Sequence, residues 1–474
     1  MGKVINVQMD EDFYNEIIQG NGGGSVSAVG ENDVTFYDYD GTILYSYSKD
    51  EFLALTELPP LPSQEGLICQ EWNWSLADAK DYVGKYGMQN IGATYITDNG
   101  ETRIYLNYAE SELASITLNI YQSVKNGVTV DWGDGNIQTL PELGNNTISH
   151  TYNSDGKYIV RLIPLDCEVY LGHIDEEQFI KNDYAKCSVD KIEIGKCVTK
   201  IYSFSYVTAK TINIPNNVID LIYEPFNECL DLRAMIVPNG VITVGDGYPF
   251  YNCKKIKIIS FPKTTIDIGY TPFQFCHSLT RLAIPEGITD IEYYFNDSYN
   301  LEKVVIPESV IEIGDYAFEA CDLKEINIPS SVTYIGKKAF YQNKLKIIDL
   351  PDNIETLGSG CLAYTDIVSV VIPKKTTKIP EEAFDYCKFL TNVKLHSNIT
   401  HIGSSSFIRT NVNVLDFSEF TSVPTLEGSM FGYNPQNKTI IVPDNLYDQW
   451  IVDTNWSSLS QFIIKKSDYE SLNN

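Results

Sequence analysis

Apolar and polar positions alternate in short bursts along the second half of the chain, and most bursts are stopped by a proline. The unit is clearest from Leu323 to Asn343, LKEINIPSSVTYIGKKAFYQN. There Ile326 and Ile328 flank Asn327, the two-residue period of a short strand with one face buried. Pro329 cannot donate to a strand ladder and ends the strand. Val332 and Ile335 return to the core, Gly336 allows a tight turn, and Ala339-Phe340 provides a large apolar plug. Pro215, Pro238, Pro262, Pro285, Pro307, Pro329, Pro351 and Pro373 are spaced by 23, 24, 23, 22, 22, 22 and 22 residues. A second ladder of the same period runs through Phe226, Phe250, Phe273, Phe295, Phe318, Phe340, Leu362, Phe384, Phe407 and Phe431. A unit this short cannot bury its own apolar face, so the units must stack into a solenoid with one continuous core of about ten rungs.

The repeat resembles the leucine-rich repeats of the BspA-like bacterial type, roughly LxxIxIPxxVxxIGxxAFxxC, from about Lys191 to Pro443. His396 and Ser418 stand where that pattern has proline, and Glu292 and Pro380 replace the turn glycine. Three residues after the plugs comes a column of small polar groups: Cys229, Cys253, Cys276, Ser298, Cys321, Asn343, Thr365, Cys387, Thr410 and Asn434. It reads as a turn column whose side chains bond neighbouring backbone, which absorbs five of the ten cysteines. A disulfide among Cys229, Cys253 and Cys276 on adjacent rungs is the alternative. No CxxC pair is present and the five histidines are scattered, so no metal or other cofactor is expected.

Upstream the pattern changes. Residues 101–170 read as a small β-sandwich, with turns at Asp134-Gly135 and Asp155-Gly156 between alternating strands. The strings DWGDG and HTY…GKYIV resemble the polycystic-kidney-disease-type, immunoglobulin-like module at Asp131, Trp132, Asp134, His150 and Tyr152. Residues 31–100 contain Asp38-Tyr39-Asp40-Gly41-Thr42, the DxDGT string of haloacid-dehalogenase-type phosphatases. Alternating flanks (Val34, Phe36; Ile43, Tyr45, Tyr47) instead place Asp40-Gly41 on a hairpin turn, with no α/β pattern following. Ser75 reads as the cap of a helix from Leu76 to Lys85 that breaks near Gly87. Trp72 and Trp74 are read as packing residues, with sugar stacking as the alternative. From about Asp33 to Asp134 the motif order resembles the N-terminal region of structural proteins of gut-bacterial phages and prophages. Residues 1–30 read as a short amphipathic arm with a GNGGGS linker, without the apolar core of a secretion signal. Residues 187–443 form the repeats. Residues 444–474 read as a terminal cap, with Asp444 as a helix cap and Leu446, Trp450 and Trp456 facing inward.

The fold expected is therefore mainly β: a leucine-rich-repeat solenoid of 22–24-residue units, preceded by an immunoglobulin-like sandwich and a small α+β module. Among its 474 residues are 63 acidic and 35 basic side chains, a net charge of −28 that disfavours nucleic acid. No stretch is apolar enough for a membrane helix, so no membrane insertion is expected. Neither HExxH nor GxSxG occurs, and no nucleophile-and-base set stands out, so no catalytic residue is assigned and the reading is non-enzymatic. A carboxylate pair for glycoside hydrolysis stays open. The outward strand column offers the candidate partner-binding face: Ile236, Ser260, Ala283, Val305, Asn327, Asp349, Val371 and Lys394. Its small, apolar first half suits a partner, or a cover supplied by a loop or neighbouring subunit. The resemblances imply a phage tail or fibre-type protein in the virion, bound to other virion subunits through its N-terminal region. The solenoid would then bind a host-cell surface glycan or protein. A bacterial cell-surface adhesin and a purely structural virion component, its solenoid packed against sister subunits as a homo-oligomer, are the alternatives.

Overall fold

The computed structural model describes residues 33–108, 114–172, 178–182, 187–432 and 436–473. The expected amphipathic arm lies outside them. The N-terminal module is one mixed sheet, ordered β2-β1-β4-β3, with two helices. β1 (Val34–Tyr37) and β2 (Ile43–Tyr47) form the expected hairpin, β4 (Gln89–Thr97) runs parallel to β1, and β3 (Leu67–Trp72) is antiparallel to β4. Helix α1 spans Lys49–Ala54 and α2 spans Leu76–Tyr86. Ser75 caps α2 by accepting the Asp78 N–H at 3.1 Å, and Gly87 closes it at φ 83°, where a side chain would be strained. The DxDGT string is thus a hairpin turn, with the Asp40 carboxylate accepting the Thr42 N–H at 2.9 Å.

Next come two sheets around one core. β5 (Thr102–Tyr108), β7 (Val128–Asp131), β8 (Ile137–Thr139) and β10 (Gly156–Pro164) lie in one; β6 (Ala114–Gln122), β9 (Gly144–Tyr152) and β11 (Val169–Leu171) lie in the other. Trp132 is fully buried and stacks on His150 with ring centres 4.9 Å apart, while the Tyr152 hydroxyl donates to the Trp132 carbonyl at 2.8 Å. His150 bonds Asp134 at 2.8 Å. These groups brace a corner, the structural role expected of them. The boundary with the repeats is not a linker. The strand Cys187–Glu193 pairs antiparallel with β5 and parallel with Thr211–Asn213, so the sheets run on into the solenoid and share its core.

The solenoid has about 12 turns, two more than the ten rungs of the plug ladder. Two ladders of short parallel strands line it, one including Ala234–Ile236 and Ile258–Ser260, the other Glu312–Ile313, Tyr334–Ile335 and Thr356–Leu357. Between them the plug phenylalanines stack, with centroid spacings of 5.1 Å for Phe273–Phe295, 5.2 Å for Phe295–Phe318 and 5.5 Å for Phe318–Phe340. The turn column behaves as its residue types require. The Cys253 and Cys276 thiols donate to the carbonyls of Phe226 and Phe250 at 3.1 and 3.2 Å, Ser298 to Phe273 at 2.7 Å, and Asn343 to Phe318 at 2.7 Å. Each of these bonds reaches back one rung and ties neighbours together, whereas Thr365 and Thr410 donate within their own rung to the Leu362 and Phe407 carbonyls at 2.8 Å; Asn434 lies outside the described residues. All ten cysteines are free thiols, which removes the disulfide alternative.

Two local expectations change. Gly336 does not serve a left-handed turn: a Cβ there would lie 2.4 Å from the Gly314 carbonyl carbon, so glycine is required by rung-to-rung approach. The left-handed positions instead carry side chains, such as Phe275 at φ 61° and Gln342 at φ 58°. His396, standing for a proline, holds its rung by pointing Nε2 at the Pro373 carbonyl, 2.8 Å away. At the C-terminus the ladder continues through Thr439–Val442 and Ile463–Lys465, so residues 444–462 form the cap within the last rung. Trp450 and Trp456 are fully buried against Phe417. Asp444 opens a 3-10 turn without capping it; its carboxylate accepts the Ser467 N–H at 3.1 Å, at the start of α3 (Lys466–Asn473). No helix among the described residues is long and apolar enough to cross a membrane.

Candidate binding face and its cover

The outward strand column begins on rungs whose strands are buried on both faces. Ala234–Ile236, Ile258–Ser260 and Arg281–Ala283 are buried at every residue, whereas Asn392–Lys394 and Val414–Asp416 are open on either side of one buried residue. The cause is the N-terminal module. Its strand β4 lies across the column, and β1 and β4 are almost wholly buried because solenoid covers the face that helices leave free.

The seam is apolar at its centre. Tyr37 packs with Ala234, Ile236 and Ile258, while Ala283 and Val305 join the module's own core beside Trp74 and Tyr82. Gly92 of β4 sits directly on Ile236, where an added Cβ would fall 2.4 Å from the isoleucine. Polar groups fix the register. Asn73 donates to the Val237 carbonyl at 3.0 Å and the Ser260 hydroxyl at 2.9 Å, and accepts the Gly92 N–H at 2.8 Å. Trp74 donates to the Phe261 carbonyl at 2.7 Å and Tyr82 to the Ile284 carbonyl at 2.8 Å. Asn213 donates to the Tyr95 carbonyl at 2.9 Å, and Lys263 pairs with Asp78 at 2.6 Å, which holds that carboxyl below its ordinary range. Burial drives the Tyr82 phenol well above its usual pKa.

The eight candidate residues therefore divide. Ile236, Ser260, Ala283 and Val305 are 3, 1, 6 and 8 % exposed and are not free for an outside partner; the expected cover is the chain's own module. Asn327, Asp349 and Lys394 are exposed and Val371 is half-buried. The structure does not bring the two halves into one site. The alternation pattern correctly marked which side chains point outward. It could not show that a segment about 200 residues upstream supplies the partner for half of them.

Sequence reasoning missed the aromatic edge on the turns. Tyr248, Tyr270, Tyr293 and Tyr316 follow one another at 5.9, 6.4 and 5.2 Å between ring centres, and Tyr364 stacks on Tyr386 at 4.6 Å. A tyrosine spacing of 22–23 residues was the available signal. Arg409 caps that second stack and clamps Asp385 with a 2.9 Å bond from Nε and a second bond from the guanidinium. A groove of about 480 Å³ nearby collects Asp290, Glu292, Glu312 and Asp315. Burial and the neighbouring carboxylates raise the pKa of Glu292. Among the described residues no His, Cys, Asp or Glu group is placed to hold a metal ion.

BspA type leucine-rich repeat regions match residues 177–295, 292–410 and 358–467, six copies in all and well over half of the chain. No curated protein matches it. Among solved structures, a leucine-rich repeat protein from Bacteroides ovatus is 22% identical, with 56% of this chain and 68% of that one covered at a TM-score of 0.37. A leucine rich cell surface protein from Faecalibacterium prausnitzii is 18% identical, covering 60% of this chain and 93% of that one at a TM-score of 0.34. With its plug, turn and strand ladders in the register those repeats demand, the chain belongs to the BspA type leucine-rich repeat family.

Proposed function

We propose that the chain is a non-enzymatic binding protein of a bacterial cell surface, whose open rungs meet a host-cell glycan or protein. One observation carries this: the strand face is covered from Asn213 to Val305 and open from Asn327 to Lys394. A rigid solenoid with one half sealed by its own chain leaves the other half as the extended, variable surface that repeat proteins use for recognition. Asn327, Asp349, Val371 and Lys394 sit at its centre. The test is binding of the full chain to host cells and to a glycan array, with an Asp349→Arg, Lys394→Glu double variant alongside. Both positions are exposed, so the variant keeps its fold and loses the binding. Absence of binding by the parent chain, or equal binding by the variant, overturns the proposal.

A second reading keeps the same surface on a phage particle, the N-terminal region joining other virion subunits. The order of the DYDGT and DWGDG segments favours it. Detection of the chain in purified virions supports that placement, and detection only in cell-envelope fractions rejects it.

A further inference from the structure

At the seam between module and solenoid lies a second groove, of about 550 Å³, walled by the Asp40-Gly41-Thr42 turn on one side and by Arg233, Lys255, Lys257 and Ser278 on the other. We propose that this groove binds the oxyanion groups of a phosphorylated or sulfated glycan. It is separate from the open strand face, and stands or falls independently of the reading given to that face.

Three basic side chains meet here in a chain with 35 basic against 63 acidic residues. Their placement follows from the repeat. The Lys257 N–H donates to the Arg233 carbonyl at 2.8 Å, so the two residues occupy the same position on successive rungs. Adjacent strands lie about 4.8 Å apart, which sets two cations side by side along the solenoid axis. Both side chains are exposed, and neither forms an ion pair among the described residues. Lys255 differs, since it is paired with Asp231. Other rung lysines are likewise matched, as with Lys324–Glu302 at 2.7 Å and Lys344–Asp322 at 2.6 Å. Arg233 and Lys257 are thus cations whose counter-charge the fold leaves out. Asp40, the carboxylate in the lining, is turned into its own hairpin by the Thr42 N–H. Thr42 and Ser278 add hydroxyl donors at the rim.

The chemistry selects the ligand. A guanidinium offers a planar pair of donors that matches phosphate or sulfate, and a neighbouring ammonium adds a point charge. Successive anionic groups of a polymer can then engage successive rungs. A groove open at the seam admits a chain lying across it, and Ile258 adds an apolar contact beside the cations.

The experiment is calorimetric titration of the full chain, at about 50 mM salt where screening is moderate. The probes are a glycerol-phosphate polymer, a sulfated heparin oligosaccharide, polygalacturonate and neutral dextran. Arg233→Ala with Lys257→Ala is compared with Lys346→Ala plus Lys324→Ala, which removes the same charge elsewhere. The phosphate or sulfate polymer is expected to bind, dextran not, and the groove variant to weaken binding at least tenfold while the control stays within twofold. Phosphate and sulfate arms tell which oxyanion is preferred. No binding of either, tightest binding of the carboxylate polymer, or equal weakening by the control variant overturns the proposal.

Discussion

Replacing Asn73 with leucine tests whether the cover is held by its polar pins. The side chain is fully buried, and leucine keeps its approximate volume while removing every hydrogen bond. The Gly92 N–H loses its 2.8 Å acceptor and the Val237 carbonyl its 3.0 Å donor. Ser260 is spared, because its hydroxyl still donates to the Asn90 carbonyl at 2.7 Å. Two buried groups left unmatched cost about 1–3 kcal/mol each, hence about 2–6 kcal/mol concentrated at the seam. Even the lower figure shifts a local opening equilibrium about 30-fold. Native-state hydrogen exchange reads it by segment. Amides of β4 and of Ile258–Ser260 should exchange at least about 30-fold faster, whereas those of Lys378–Ile379 and His401–Ile402 keep parental rates, since rungs couple chiefly to their neighbours. Unchanged exchange in β4 would refute the role given to Asn73. Equal acceleration in the distant rungs would show that module and solenoid open as one unit, refuting a local seam.

Thiol chemistry gives a second expectation: iodoacetamide at pH 8 should modify the native chain slowly and only at the half-buried Cys69 and Cys197, with the turn-column thiols reacting after unfolding. Burial raises Cys69 and Cys387 to about 11 and Cys361 to about 12, with Cys229, Cys253, Cys276 and Cys321 higher still; mass spectrometry before and after denaturation checks it. Arg409→Ala strands the Asp385 carboxylate, only 6 % exposed as a side chain, and should destabilise the chain by about 1–3 kcal/mol in denaturant titration, with Arg409→Lys recovering only part. Glu292→Gln should stabilise the chain at pH 7 by under about 1 kcal/mol. The folded pKa of Glu292 is raised, so its favourable contribution is complete below the ordinary 4.5 and is lost as pH rises through the raised value; the variant's advantage should vanish near pH 4.5 in the same titration. Gly336→Ala places a methyl on the Gly314 backbone and should cost about 1–3 kcal/mol, visible as a lower denaturation midpoint.

Much of the architecture was legible because it is periodic. Proline and phenylalanine at a fixed spacing leave one way to bury the apolar face, and small polar residues after the plugs, from Cys229 to Thr410, serve turn carbonyls. Local signals held too. Ser75 capped its helix, and Asp40-Gly41 made a hairpin where a phosphatase string invited another reading. Asp444 was misjudged because a cap is defined by which N–H its carboxylate meets, and that N–H belongs to Ser467, 23 residues on.

Strand alternation alone determined that Ile236, Ser260, Ala283 and Val305 leave the solenoid core, along with Asn327, Asp349, Val371 and Lys394. Whether those side chains meet water or protein is a property of contacts about 170 to 200 residues apart, such as Asn73 to Ser260 and Tyr82 to Ile284. No local periodicity encodes such pairs, since burial by a distant segment changes neither spacing nor propensity. The tertiary structure decided it by laying β4 across the apolar rungs. That choice sealed the first half of the strand face, opened a basic groove at the seam, and left the polar half free.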